Sequence, residues 1–356
     1  MIDLRSDILG GLPEVAMQAM INVANEPPCF DLGEDPNQNA LEETVADLYG
    51  YEKALYVPTG TMANQIALRI HCAPGETVIA DRNSHLAINE MASTAGLNGA
   101  ALFLLDGERG HPKAGDIERA LAATPRSAAD RDVKLIWLEN THNWAGGTVM
   151  SKTMLRKIVI TCKSAGKPLH LDGARLWNAV VASNSSPNAL TSGVDSTAVS
   201  LNKAVGAPVG ALLLGEKGFI AEAIRVRRMF GGWWRPVGIL AAAALAALEG
   251  FSERVKVDHF RAKCFASELN RTLPAGFSVQ TPDTNIVMLH TPENVSPRSL
   301  VELIRSHGVL AKDYGKAGVR FVFHSGVTEN DIAPAVEAVT NGINHGKFQD
   351  EALQPQ

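Results

Sequence analysis

The sequence has no apolar run long enough to span a bilayer. Its longest, VGILAAAALAALEGF over 237–251, carries Glu249 and falls short of the roughly 20 apolar residues a spanning helix needs. A buried helix opened by Pro236 is expected there instead. The opening residues, MIDLRSD, bring charges at once and no apolar core, so no secretory signal is expected. A basic excess is also missing. Lys and Arg number 33 against 38 Asp and Glu, a formal charge of −5, which argues against a nucleic-acid partner. Cysteine is scarce: Cys29, Cys72, Cys162 and Cys264 lie far apart, with no Cys-x-x-Cys pair and no histidine pattern nearby. Structural zinc, other metal sites and a disulfide framework are therefore not expected, and a reducing cytoplasm fits.

What is present is enough chain, 356 residues at near-zero mean hydropathy, for a sizeable core and more than one domain. Short runs rich in Val, Ile and Leu predict strands over 53–58, 76–81, 100–106, 134–140, 167–173, 196–202 and 209–215. Their apolar residues fall on both parities, as in strands covered on both faces. Helical patterns such as 153–166 fit between most of them, so a mostly parallel α/β sheet covered by helices is expected. A helix over 37–50 is predicted with Asn39 as its cap and Glu42 three residues on. After residue 251 the pattern thins. Strands over 277–280, 285–290 and 318–324 and helices over 299–308 and 331–343 suggest a smaller α/β domain.

Ligands of open α/β sheets bind beyond the carboxyl ends of the strands, and four polar constellations fall there. In PTGTMANQIAL (58–68), Gly60 allows a tight turn and Thr61 opens a helix, whose backbone N–H groups and hydroxyl suit a phosphate. The Gly-Lys-Ser/Thr of a Walker loop is absent. In DRNSHLAINE (81–90), His85 caps a helix, or stacks on a planar ligand or shuttles a proton. In LHLDGARLWNA (169–179), Asp172 ends an apolar strand and wants a cationic partner: Arg175, or a protonated ring nitrogen. In VSLNKAVGAPVG (199–210), Lys203 stands among small residues 31 positions after Asp172. A surface lysine in a turn is one reading. A lysine whose neutral amine forms a Schiff base is the other. Taken together, the four describe one ligand, pyridoxal 5′-phosphate: phosphate on Gly60–Thr61, ring under His85, pyridinium at Asp172, aldehyde on Lys203.

These stretches, with DLRSD (3–7), GEDPNQNALE (33–42), LENTHNWAGG (138–147) and VRFVFH (319–324), resemble the threonine aldolase and β-eliminating lyase family of fold-type-I pyridoxal phosphate enzymes. The resemblance runs to about residue 340. It implies a large cofactor-binding domain over 1–250 with a seven-stranded sheet and an N-terminal arm over about 1–35, a small domain over 251–345, and a frayed tail over 346–356. It implies that Lys203, His85 and Asp172 are catalytic, and that Gly60, Thr61, Arg175 and Arg235 also contact the cofactor. Ser6, Arg175 and Arg320 would bind the substrate carboxylate, a task suited to the guanidinium fork. A homodimer or homotetramer with sites at the dimer interface is implied too.

The chain departs from the family pattern in three places. Leu32 stands where a tyrosine is usual. Gly231, Gly232, Trp233, Trp234 and Arg235 replace a Gly-Gly-Gly-Met-Arg run. No histidine occurs in SAADRDVK (127–134). The expected reaction is cleavage of a β-hydroxy-α-amino acid, of the threonine or allo-threonine type, to glycine and an aldehyde. His85 is the leading base and His142 the reserve. β-Elimination, racemisation or transamination on the same scaffold are the alternatives, followed by a non-catalytic homologue that keeps the cofactor.

Overall fold

Short apolar segments with both faces covered need a sheet with helices on either side. The computed structural model of this chain describes residues 1–31, 33–123 and 133–346 and builds seven such segments into one sheet. They are β1 (Lys53–Val57), β2 (Thr77–Asp81), β3 (Ala101–Leu105), β4 (Val133–Glu139), β5 (Leu169–Gly173), β6 (Ser196–Ser200) and β7 (Ala211–Gly215). Their spatial order is β1-β7-β6-β5-β4-β2-β3. Strands β2 to β6 pair in parallel, while β7 runs antiparallel to both its neighbours, β6 and β1. Every residue of β2, β5, β6 and β7 is buried, which is why their sequence shows no alternation.

Parallel pairing brings the carboxyl ends to one edge, and polar side chains collect there. Strand β2 ends on Asp81, β4 on Glu139, β6 on Ser200, and β5 one residue past Asp172. Glu139 is level with Asp172, and Asp172 with Ala198. Residues level across a parallel ladder share a face, so the two carboxylates leave the sheet on the same side.

The core beneath this edge is aromatic at its centre. Trp177 meets Tyr49 edge-on at 5.0 Å and is fully buried. Its indole N–H donates to the Ser200 carbonyl at 3.0 Å, which fixes the end of β6 from below.

Several element boundaries differ from the sequence expectation. Asp35, not Asn39, caps the helix Pro36–Tyr49, its Oδ1 accepting from the backbone N–H groups of Asn37 and Gln38. Pro36 at the first helical position explains the earlier start, and Asn39 donates instead to the Gly33 carbonyl. The helix expected to open at Thr61 begins one residue earlier, as Gly60–His71, with Thr59 as its cap. The apolar run 237–251 gives Gly238–Ala247, and a new helix, Phe251–Asn270, follows after Gly250, which takes a φ of 65°. Strand β6 stops at Ser200 rather than 202, so the residues leading to Lys203 already belong to a loop. Leu32, residues 127–132 of the histidine-free stretch, and the tail from 347 onward lie outside the described residues.

The chain divides into two compact units, and the seven-stranded sheet belongs to the larger, Leu12–Asn143 with Thr148–Ser252. The smaller comprises Met1–Gly11, Trp144–Gly147 and the residues from Glu253 onward. It holds a four-stranded antiparallel sheet in the order Lys312–Asp313, Val319–Val322, Ile286–His290, Ser278–Val279. Phe265 packs between Phe321 and Phe323 at 5.2 and 5.3 Å. Residues 1–11 group here because the two-residue strand Ile2–Asp3 pairs in parallel with Val309–Leu310.

Inside the large unit two histidines share one hydroxyl. His71 Nε2 and His170 Nδ1 each lie 2.8 Å from Ser196 Oγ. One ring can donate while the hydroxyl donates to the other, which requires the accepting nitrogen to be unprotonated. Burial pushes His71 down to about 4 and His170 well below its ordinary value. A folded pKa depressed below the unfolded value means stability that is complete above pH ~6.5 and is lost as pH falls toward 4. For His71 alone the loss is on the order of 3 kcal/mol. Denaturant titrations at pH 7 and pH 4.5 should show it, with a smaller loss in His71→Asn. An equal loss in that variant would exclude His71 as the source.

Candidate active site

The helix Gly60–His71 starts directly after β1, so the N–H groups of its first turn have no acceptor within the helix. They open onto a pocket at the carboxyl edge of the sheet. Gly60, Thr61, His85, Asp172, Ser200 and Lys203 line it. Four sequence constellations separated by as many as 143 positions thus meet in one cavity. A Cβ on Gly60 would lie 3.2 Å from Ser200 Oγ, so glycine keeps the floor open at this point.

Lys203 sits in a loop closed at both ends. Leu201 N–H donates to the Gly210 carbonyl and Gly206 N–H to the Lys203 carbonyl. Its Nζ is 3.4 Å from Ser200 Oγ. Two of the small residues around it serve the backbone: Gly206 and Gly210 take φ of 82° and 105°. A side chain on Gly210 would strike the Tyr56 ring. The absence of bulk therefore serves the turn as well as any ligand.

Asp172 is buried at the end of β5. Its Oδ1 accepts from Ala174 N–H at 3.0 Å and its Oδ2 from Asn64 Nδ2 at 2.9 Å. Asn64 Nδ2 also donates to Glu90 Oε1 at 2.9 Å. Glu90 Oε1 in turn lies 2.8 Å from His85 Nδ1, and Gln65 Nε2 donates to Glu90 Oε2 at 2.8 Å. Ligand atoms of His85, Glu90 and Asp172 come within 4.8 Å of one another. Here one amide bridges the two carboxylates. Burial opposes a charge on His85, but the bond to Glu90 and the negative charges of Asp172, Glu90 and Glu139 outweigh it and raise the histidine pKa.

The other expected residues are placed as follows. Arg175 is buried at the start of the helix Leu176–Ala182, and its Nη1 donates to Asn143 Oδ1 at 3.0 Å. Asn143 N–H donates to Glu139 Oε1, and His85 N–H to Glu139 Oε2. Glu139 thereby holds the backbone of His85 and the loop that meets Arg175. Arg235 does not line this pocket. Its guanidinium lies 4.8 Å over the exposed Phe30 ring and 3.5 Å from Asp31. Trp233 is flanked by the guanidinium groups of Arg227 and Arg228 at 5.2 and 5.0 Å, and Trp234 packs on Tyr56. His142 is fully buried, with Nε2 3.1 Å from Asp81 Oδ1, and does not line the pocket.

In the smaller unit, Arg320 donates to the Arg5 carbonyl at 2.8 Å and stacks on Tyr314 at 4.3 Å. Ser6 Oγ caps the adjoining turn at Ile8 N–H.

The sequence reading missed Asn64, Glu90, Glu139 and Ser200. A signal was available for two of them. Asn64 and Gln65 interrupt the apolar face of a buried helix, and Glu90 is a carboxylate on a short segment with little solvent exposure. Polar groups in such positions need partners.

Strand order and pocket position define the class, the fold-type-I pyridoxal phosphate fold. The chain belongs to the β-eliminating lyase family, whose model matches residues 3–294. It is 33% identical over 335 residues to low-specificity L-threonine aldolase 1 of Arabidopsis thaliana, covering 93% of each chain. It is 34% identical over 333 residues to the low-specificity L-threonine aldolase of Escherichia coli K12, covering 94% of this chain and 96% of that one. The solved threonine aldolase of Leishmania major matches in fold at a TM-score of 0.82 and 20% identity, covering 95% of this chain and 98% of that one. No helix among the described residues is long and apolar enough to cross a membrane.

Proposed function

We propose that this chain is a pyridoxal phosphate-dependent aldolase that cleaves β-hydroxy-α-amino acids of the threonine type to glycine and an aldehyde. The observation that carries the reading is the meeting of a helix start, a buried carboxylate, an imidazole and an amine in one pocket. Relatives named as threonine aldolases support the substrate class.

The residues fit the cofactor group by group. The first-turn N–H groups at Gly60 and Thr61, with the Ser200 hydroxyl beside them, suit a phosphate. Asp172 suits a protonated ring nitrogen, His85 a flat ring, and Lys203 an aldehyde carbon. When bound, pyridoxal phosphate supplies an electron sink for the carbon left negative as the Cα–Cβ bond opens.

The chain supplies the rest. Asp172 places a carboxylate where the sheet ends. His85 takes the β-hydroxyl proton, directly or through one water. A guanidinium fork fixes a substrate carboxylate in orientation as well as charge, a task for which the family resemblance offers Arg175 in the larger unit and Arg320, with Ser6, in the smaller. Arg235, exposed and outside its own chain's pocket, serves the phosphate of a second copy in a homodimer or homotetramer. All four cysteines are free thiols, which supports a cytoplasmic setting.

The test is a panel of threonine, allo-threonine, phenylserine and serine, scored for products, with the mass in solution measured on the same preparation. Glycine and an aldehyde are expected from an oligomer. Ammonia and a keto acid would replace the reading with β-elimination. A monomer that turns over would remove the role given to Arg235.

A further inference from the structure

The pocket contains one acid that the proposed chemistry does not use. Glu90 lies between the short helix His85–Ile88 and the helix Met91–Asn98, and it is 1% exposed. No arginine or lysine is paired with its carboxylate in the described contacts. Its partners are Asn64, Gln65 and His85, three side-chain donors on two oxygens. Its backbone is tied to the same histidine, with Glu90 N–H donating to the His85 carbonyl at 3.1 Å. A carboxylate buried this deeply would be costly as mere packing, and an apolar residue would fill the space at less cost.

The geometry points to Glu90 as a positioning residue for His85: it holds the Nδ1–H, fixes the ring, and leaves Nε2 as the nitrogen available to the pocket. A carboxylate on one imidazole nitrogen selects the tautomer and makes the other nitrogen a stronger base. Asn64 extends the arrangement. Its single Nδ2 donates to Glu90 and to Asp172, so the group under the histidine and the group at the strand end are held by one amide. Both sides of a bound ring are then set by one rigid polar network, anchored by Gln65, which accepts from Asn98 Nδ2 at 2.7 Å. The charged and titratable groups facing His85 are Glu90, Asp172 of β5, Glu139 of β4, and Lys203, which lines the same pocket.

The inference rests on the functional reading above only for its rate arm. The variant is Glu90→Gln, which keeps the volume and an acceptor for Nδ1 but removes the charge. Full-length protein loaded with pyridoxal phosphate is followed in two ways: the His85 titration by NMR of its ring C–H, and the pH profile of glycine release. In the wild type, His85 is expected to titrate above pH 6.5, the ordinary histidine value. In Glu90→Gln the midpoint should move down. The acid limb of the kcat profile should follow it, and plateau kcat should fall roughly 10- to 100-fold with KM little changed. Glu90→Asp should recover part of the shift.

An unchanged His85 midpoint in Glu90→Gln would overturn the inference. So would a moved midpoint with an unmoved rate profile, since the carboxylate would then tune a histidine the reaction ignores. If the wild type released no glycine, the functional reading would fail, and the NMR arm would still decide whether Glu90 sets the state of His85.

Discussion

Lys203→Ala is expected to abolish glycine release, by roughly 10³- to 10⁴-fold or more, without unfolding the protein. The amine lines the pocket, while the backbone around it is held by contacts a shorter side chain leaves intact. Gly206 still donates to the carbonyl at position 203, and Leu201 still donates to Gly210. A second readout is independent of turnover. After borohydride reduction of the loaded protein, the peptide containing Lys203 should carry the reduced cofactor in the wild type, and no peptide should carry it in the variant. A wild-type protein labelled at another lysine, or a Lys203→Ala variant with full activity, would end the proposal.

Asp172→Asn is expected to be the next most damaging change. The replacement keeps the shape of the carboxylate, and its oxygen can still accept from Ala174 N–H. It loses the charge. Its amide nitrogen would also face Asn64 Nδ2, a donor, where Oδ2 now accepts at 2.9 Å. Leaving one member of a buried charge pair without its partner costs about 3–5 kcal/mol, which is about 10²- to 10⁴-fold in rate if it is felt in the transition state. Steady-state kinetics should place the loss in kcat, with circular dichroism unchanged. Wild-type kcat in Asp172→Asn would show that no cation is held there during the reaction.

Much of this was legible in the sequence for a simple physical reason. Strands buried on both faces, such as β5 and β6, must be apolar on both parities, so any polar residue at their ends stands out. Asp172 and Lys203 stand out in this way, and both line the pocket. Helix caps were less legible because several side chains near a start can serve: Asn39 and Asp35 both can cap, and only the position of Pro36 decides. Glu90 and Asn64 were missed because their importance lies in each other. Each lies in one of the polar constellations, 58–68 and 81–90, but nothing in either stretch points to the other, and their contact spans 26 positions. Family likeness matches Arg235 to an arginine that reaches the cofactor phosphate near a subunit interface, and within one chain it packs on Phe30 and Asp31.

The antiparallel strand β7 has a further consequence. It returns between β1 and β6, in the interior of the sheet, and the loop from Leu201 to Gly210 is strung between β6 and β7. Both ends of that loop are pinned to internal strands, and Leu201 N–H donates to the Gly210 carbonyl across its base. Between those pinned ends, the Lys203 amine travels by rotation along its own four methylene carbons. Its reach is thus set by side-chain length, and a lysine moved even one position along this hairpin would swing through a different arc.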